Sequence, residues 1–163
     1  MSSCIGILKV VEMKDHADDT TARKAWMNLL SKASDGQIAA LLDASGPRPD
    51  FTWLRPPEIG SVMVQGRAGG TGAPFNLGEM TITRCALRLR CGTVGHGYIQ
   101  GRRKADAEAA ALVDALMQTD AAATVQTRVL SQIAEARATA QQARAAKAAA
   151  TKVEFFTMAR GED

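Results

Sequence analysis

Two histidines, three cysteines and an uneven spread of glycines and arginines limit what this chain can do alone. His16 and His96 are its only imidazoles, so no His-based metal cluster can be assembled within it. A serine or cysteine nucleophile needs a neighbouring base, and His96 alone could serve one. No G-x-S-x-G elbow occurs. Cys4, Cys85 and Cys91 form an odd set without C-x-x-C, which writes neither a disulfide framework nor a zinc ribbon and fits reduced thiols in the cytoplasm. Glu58 and Glu79 flank a glycine-rich segment and could hold a metal or accept a proton. A self-sufficient enzyme would therefore draw on Glu79 and His96.

That segment, Gly66-Arg67-Ala68-Gly69-Gly70-Thr71-Gly72, admits two readings. It is either a tight connection between strands or a loop whose backbone N–H groups, with Arg67, bind a phosphate or a partner's loop. Walker and Rossmann readings fail on context, because the loop leads to Pro74 and another strand and no G-K-[ST] follows. Between Met80 and Lys104 lie Arg84, Arg88, Arg90, Arg102, Arg103 and Lys104 with no acidic residue. Guanidinium groups suit bidentate phosphate contacts. The alternatives are a solvated strand face and an adaptor surface for nucleic acid on Arg84, Arg88 and Arg90.

The elements that must position these groups follow from periodicity. Ala22, Ala25, Trp26, Leu29, Leu30 and Ala33 mark an amphipathic helix, and Ser34 with Gln37 a capping box opening a second one that ends at Ser45-Gly46-Pro47. Phe51 to Glu58 reads as extended and proline-interrupted, and Ile59 to Gln65 as a strand. Glu79–Arg90 and Thr93–Gln100 form a hairpin about Cys91-Gly92. In the expected register Leu89 faces Val94, Leu87 faces His96 and Cys85 faces Tyr98, with a bulge near Thr83. That register puts His96 on an apolar face, as a core histidine or a base. A helix over 105 to 118 comes next. An alanine-dominated helix then runs from 121 to about 152, roughly 48 Å long at ~1.5 Å per residue, which is more than a body of this size can cover.

The predicted fold class is therefore α+β: a small antiparallel sheet with a central hairpin, an N-terminal helical pair and C-terminal helices including the long alanine-rich one. Residues 1 to 19 read as a tail or as a start placed upstream of the real one. Residues 20 to 118 form the core, and 119 to 163 the alanine-rich helix and a C-terminal docking segment with Phe155 and Phe156. A chain of 163 residues, 46% hydrophobic and 23% charged, is the size of one soluble domain. No apolar run spans a bilayer. A net charge of +3 and 4% aromatics argue against nucleic acid.

The motifs in combination resemble the PhnG family of the carbon-phosphorus lyase system. Carrying the likeness are Trp53-Leu54-Arg55-Pro56-Pro57-Glu58-Ile59-Gly60, the stretch from Met63 to Ala86 with its R-x-G-G-T-G loop and T-x-T-R strand, Gly92 to Arg102, and Val153-Glu154-Phe155-Phe156-Thr157-Met158-Ala159-Arg160-Gly161. It runs from about Thr21 to the C-terminus; Cys91 stands where an aspartate is usual. The resemblance implies a core complex with PhnH, PhnI and PhnJ, two copies of each, with PhnL and PhnK as further partners. It implies support for displacing adenine from MgATP by methylphosphonate, with no cofactor or metal held by this chain and no activity by it alone. Binding candidates are Arg67, Gly69, Gly70, Thr71, Gly72 and Arg84. Interface candidates are Phe155, Phe156, Met158 and Arg160.

Overall fold

In the computed structural model, residues 15 to 152 are described, with side chains from Thr20 onward. The order is α1 (Asp15–Ser31), α2 (Gln37–Ser45), β1 (Phe51–Arg67), β2 (Pro74–Leu89), β3 (Val94–Gln100), α3 (Lys104–Leu116), α4 (Ala122–Val125), a π-helical turn (Gln126–Leu130) and α5 (Ser131–Ala150). The strands form one antiparallel sheet in the order β1-β2-β3. The fold class is α+β, as the sequence predicts. α1 begins at Asp15, inside the stretch read as a tail.

The predicted capping box at α2 is half present. The Gln37 side chain accepts the Ser34 N–H at 3.1 Å. A stronger cap comes from α3, where the buried Asp106 carboxylate accepts the N–H groups of Gly36 (2.8 Å) and Ala39 (3.4 Å). Donors that a helix start leaves unpaired are thus met by a charge that suits the positive end of its dipole. Arg48 ties the next connection to the body through Asp43 at 2.7 Å and Glu108 at 2.8 Å.

α3 is buried nearly all round, from Asp106 to Ala115. It lies directly on β3, whose inward positions are Gly95, Gly97 and Ile99. A Cβ at Gly95 would overlap the Ala111 carbonyl oxygen, and one at Gly97 would overlap that of Ala107. Two glycines on a strand and alanines at i, i+4 and i+8 on a helix (Ala107, Ala111, Ala115) bring the two backbones together. Leu30, Ile38, Leu42, Leu87, Leu89, Leu112 and Val113 fill the core around that seam.

This packing corrects the expected hairpin. Leu89 donates to Thr93 at 2.9 Å across a three-residue loop, Arg90-Cys91-Gly92, with Gly92 at φ 92°. The pairs are Arg88 with Val94, Leu87 with Gly95, Ala86 with His96, Cys85 with Gly97 and Arg84 with Tyr98. His96 therefore leaves the predicted apolar face and stands on the opposite, exposed one. The irregularity expected near Thr83 falls on the partner strand, where the extra residue lies between Arg55 and Glu58, opposite Ala86 and Arg84. The register shifts fall between Trp53 and Arg55, Arg55 and Glu58, and Val64 and Gln65.

α4, the π turn and α5 follow one another from Ala122 to Ala150. Val125, Val129, Leu130 and Ile133 anchor this helix in the core. Beyond Ile133 its residues are exposed except Arg137, which is half-buried. α5 alone runs about 30 Å at ~1.5 Å per residue.

Candidate partner interface

β3 pairs with β2 only between Ile82 and Arg88. From Ser61 paired with Thr81 to Arg67 paired with Pro74, β1 and β2 continue as a two-stranded ribbon, roughly 24 Å long at ~3.4 Å per residue. Met63 (54% exposed), Phe75 (45%) and Leu77 (67%) stand in the open on this arm, with Ile59 (46%) at its root. Val62, Val64 and Met80 are half-buried on it. In regular pairing Ile59 and Met63 share one face and Val62 and Val64 the other, so both faces carry apolar side chains. A lone two-stranded ribbon is marginal in water, and contiguous exposed apolar area marks an interaction site.

The glycine loop is the tip of this arm. Gly69 (φ 60°) and Gly70 (φ 80°) occupy left-handed backbone that side chains disfavour, and Gly72 N–H closes on the Ala68 carbonyl at 2.9 Å. Arg67 donates to the Gly72 carbonyl at 3.1 Å, bracing the tip. Thr71 is exposed beside it.

The remaining candidates are dispersed. Glu79 pairs with Met63 on the arm, and His96 pairs with Ala86. Seven steps along β2 separate Glu79 from Ala86, which places Glu79 and His96 on opposite faces and about 24 Å apart along the strand. Arg84 is held by Glu58 at 2.6 Å, with Arg55 also on Glu58 at 3.5 Å, and Arg90 pairs with Asp50 at 3.3 Å. Arg103 is structural: it donates to the carbonyls of Ala33 (2.8 Å) and Gln100 (3.0 Å), and its N–H meets the buried Thr83 hydroxyl at 3.0 Å. The basic run of the sequence is thus no single patch. His96, Tyr98, Arg84, Ala86 and Leu54 line an open concavity of about 560 Å³ on the outer sheet face.

Of the two described cysteines, Cys85 donates to the Ala107 carbonyl at 3.1 Å, and burial pushes its thiol up to about 11. Cys91 is exposed, and the Thr93 hydroxyl beside it lowers its thiol. No group of three or more His, Cys, Asp or Glu able to hold a metal occurs among the described residues. Phe155, Phe156, Met158 and Arg160 lie outside the described residues.

One buried charge has no counterpart in the sequence reading. Asp114 on α3 is fully buried and accepts four hydrogen bonds: two from the Arg23 fork (3.1 and 2.6 Å), one from Trp26 Nε1 (2.9 Å) and one from the His96 backbone N–H (2.9 Å). It joins α1, α3 and the outer edge of β3. Its neighbours in sequence, Val113 and Ala115, give no sign of it, because its partners lie up to 91 residues away. Asp114→Ala orphans the indole and amide donors and leaves Arg23 without its carboxylate, with only the Val94 carbonyl at 3.4 Å to accept from it, so a loss of about 3 kcal/mol in unfolding free energy is expected in urea melts. A change under about 1 kcal/mol would show that the hub is dispensable.

Comparison with known proteins supplies a further finding. The family model described as "Phosphonate metabolism protein PhnG" matches residues 21–161. A curated protein of Rhizobium meliloti (strain 1021), "Alpha-D-ribose 1-methylphosphonate 5-triphosphate synthase subunit PhnG", is 46% identical over 142 residues, 86% of this chain and 90% of that relative.

Proposed function

The chain belongs to the PhnG family of phosphonate metabolism proteins, and from that premise we propose that it is a subunit, inactive alone, of a synthase complex in organic phosphonate catabolism. The complex makes alpha-D-ribose 1-methylphosphonate 5-triphosphate from MgATP and methylphosphonate and releases adenine. PhnI, PhnH and PhnJ, two copies of each, are its core partners, with PhnL and PhnK joining them in the cytoplasm. This chain binds no cofactor; MgATP is the substrate of the assembly.

The observation that carries the reading is the arm: a ribbon apolar on both faces that this chain leaves uncovered. The 46% identity to a synthase subunit supports the reaction. The separation of Glu79 from His96 supports a role through assembly instead of an internal acid–base pair. No helix among the described residues is long and apolar enough to cross a membrane.

Reconstitution tests it. Adenine release from MgATP and methylphosphonate should require this chain together with the other subunits, and the chain alone should release none. Adenine release by the isolated chain would overturn the proposal. At the arm's tip, Arg67→Ala with Gly70→Val is expected to cut growth on methylphosphonate in a complementation assay at least tenfold while helical circular dichroism stays intact. Normal growth would leave the loop a connection and nothing more.

A further inference from the structure

We infer that the cavity between the α1–α2 connection and α5 is a binding site for a polyphosphate anion. It measures about 330 Å³ and is lined by Lys32, Ser34, Gln37, Gln100, Arg137 and Arg144 over a floor that includes Ala33 and Ile133. That is space on the order of ten waters at ~30 Å³ each. Three of the lining side chains are cations and none is a carboxylate. Among the described residues, Lys32, Arg137 and Arg144 take part in none of the ion pairs.

The placement of these cations distinguishes them from a solvated helix face. Ile133, Arg137, Ala140 and Arg144 follow the i, i+4, i+7, i+11 stripe of α5. Ile133 is buried in the core, so this is the stripe that turns toward the body, and Arg137 is half-buried on it. On this stripe the half-buried Arg137 and the exposed Arg144 thus face a third cation, the exposed Lys32, across a cleft. Such an arrangement concentrates positive potential and is relieved by an anion.

Spacing chooses the anion. Arg137 and Arg144 are two turns apart, about 10 Å at ~1.5 Å per residue. A chain of phosphates can lie along that stripe and give each guanidinium its own phosphate, with Lys32 closing from the other side. No aromatic residue lines the cavity. The recognised chemistry is the phosphate chain. This assignment goes beyond the subunit role and does not depend on it.

Titration calorimetry of the full chain with sodium tripolyphosphate at low salt tests the site. Saturable binding is expected, weakening as salt rises, with orthophosphate binding at least tenfold more weakly. Arg137→Gln with Arg144→Gln should weaken tripolyphosphate at least about tenfold, since each removes charge-assisted hydrogen bonds. Lys32→Gln, on the facing element, should weaken it several-fold. Lys24→Gln with Arg88→Gln removes the same charge elsewhere and should leave the affinity within twofold. Equal affinity in the Arg137 and Arg144 variant, or an equal loss in the Lys24 and Arg88 control, would overturn the assignment. Saturation by oligoglutamate where tripolyphosphate gives none would overturn it too, in favour of an acidic segment of a partner protein.

Discussion

Gly97→Val is expected to abolish folding of the chain. The new side chain begins inside the Ala107 carbonyl oxygen and 2.8 Å from Cys85 Sγ, with the α3 backbone on one side and the sheet on the other. Neither wall is a flexible side chain that can swing away. Overpacking usually costs about 1–3 kcal/mol where side chains can adjust. Here a whole buried helix must retreat, and the loss should exceed about 4 kcal/mol, a large share of the ~5–15 kcal/mol that holds a domain together. Gly95→Ala meets the Ala111 carbonyl oxygen in the same way. Gly78→Ala, which meets nothing within 4 Å, should leave stability within about 1 kcal/mol. Soluble yield and urea melts of the three variants check this; a cooperatively folded Gly97→Val protein would show that α3 does not depend on the glycine seam.

The second large effect is on assembly. Met63→Ser, Phe75→Ser and Leu77→Ser combined should leave the core folded, because none of the three belongs to the core cluster. Burying each such side chain in an interface contributes roughly 1.5–3 kcal/mol. Losing all three should weaken association by more than about 4 kcal/mol, close to a thousandfold at ~1.4 kcal/mol per decade. Co-purification with the partner subunits and adenine release by the reconstituted complex should fall together. If both persist while the chain remains folded, the arm is not the contact.

What could be read from residues alone divides along physical lines. Trp26, Leu29 and Leu30 repeat at helical spacing and bury their stripe, so α1 is evident apart from its start. The chain's membership of its family is equally evident, since whole motifs carry it. The hairpin register is not. Two of its three inward residues on β3, Gly95 and Gly97, have no side chain to enter a hydrophobic pattern, so Val94, His96 and Tyr98 read as the apolar face instead. The three-residue loop at Arg90-Cys91-Gly92 adds the one-residue offset. Charge was misplaced for another reason. Arg84, Arg88, Arg90 and Arg103 lie close in sequence, but ion pairs and carbonyls take up Arg84, Arg90 and Arg103. Lys32 and Arg144 share a cavity across more than a hundred residues of chain, a proximity only the fold creates.

Pro56 and Pro57 sit within β1, at the sheet's outer border, where neither takes part in the pairing with β2. A proline has no N–H to offer, so another copy of the chain cannot zip along that border, and the bulges beside the prolines bend it further from a straight template. Edge-to-edge pairing between copies is thereby interrupted where β1 enters the body of the sheet, at the root of the apolar ribbon.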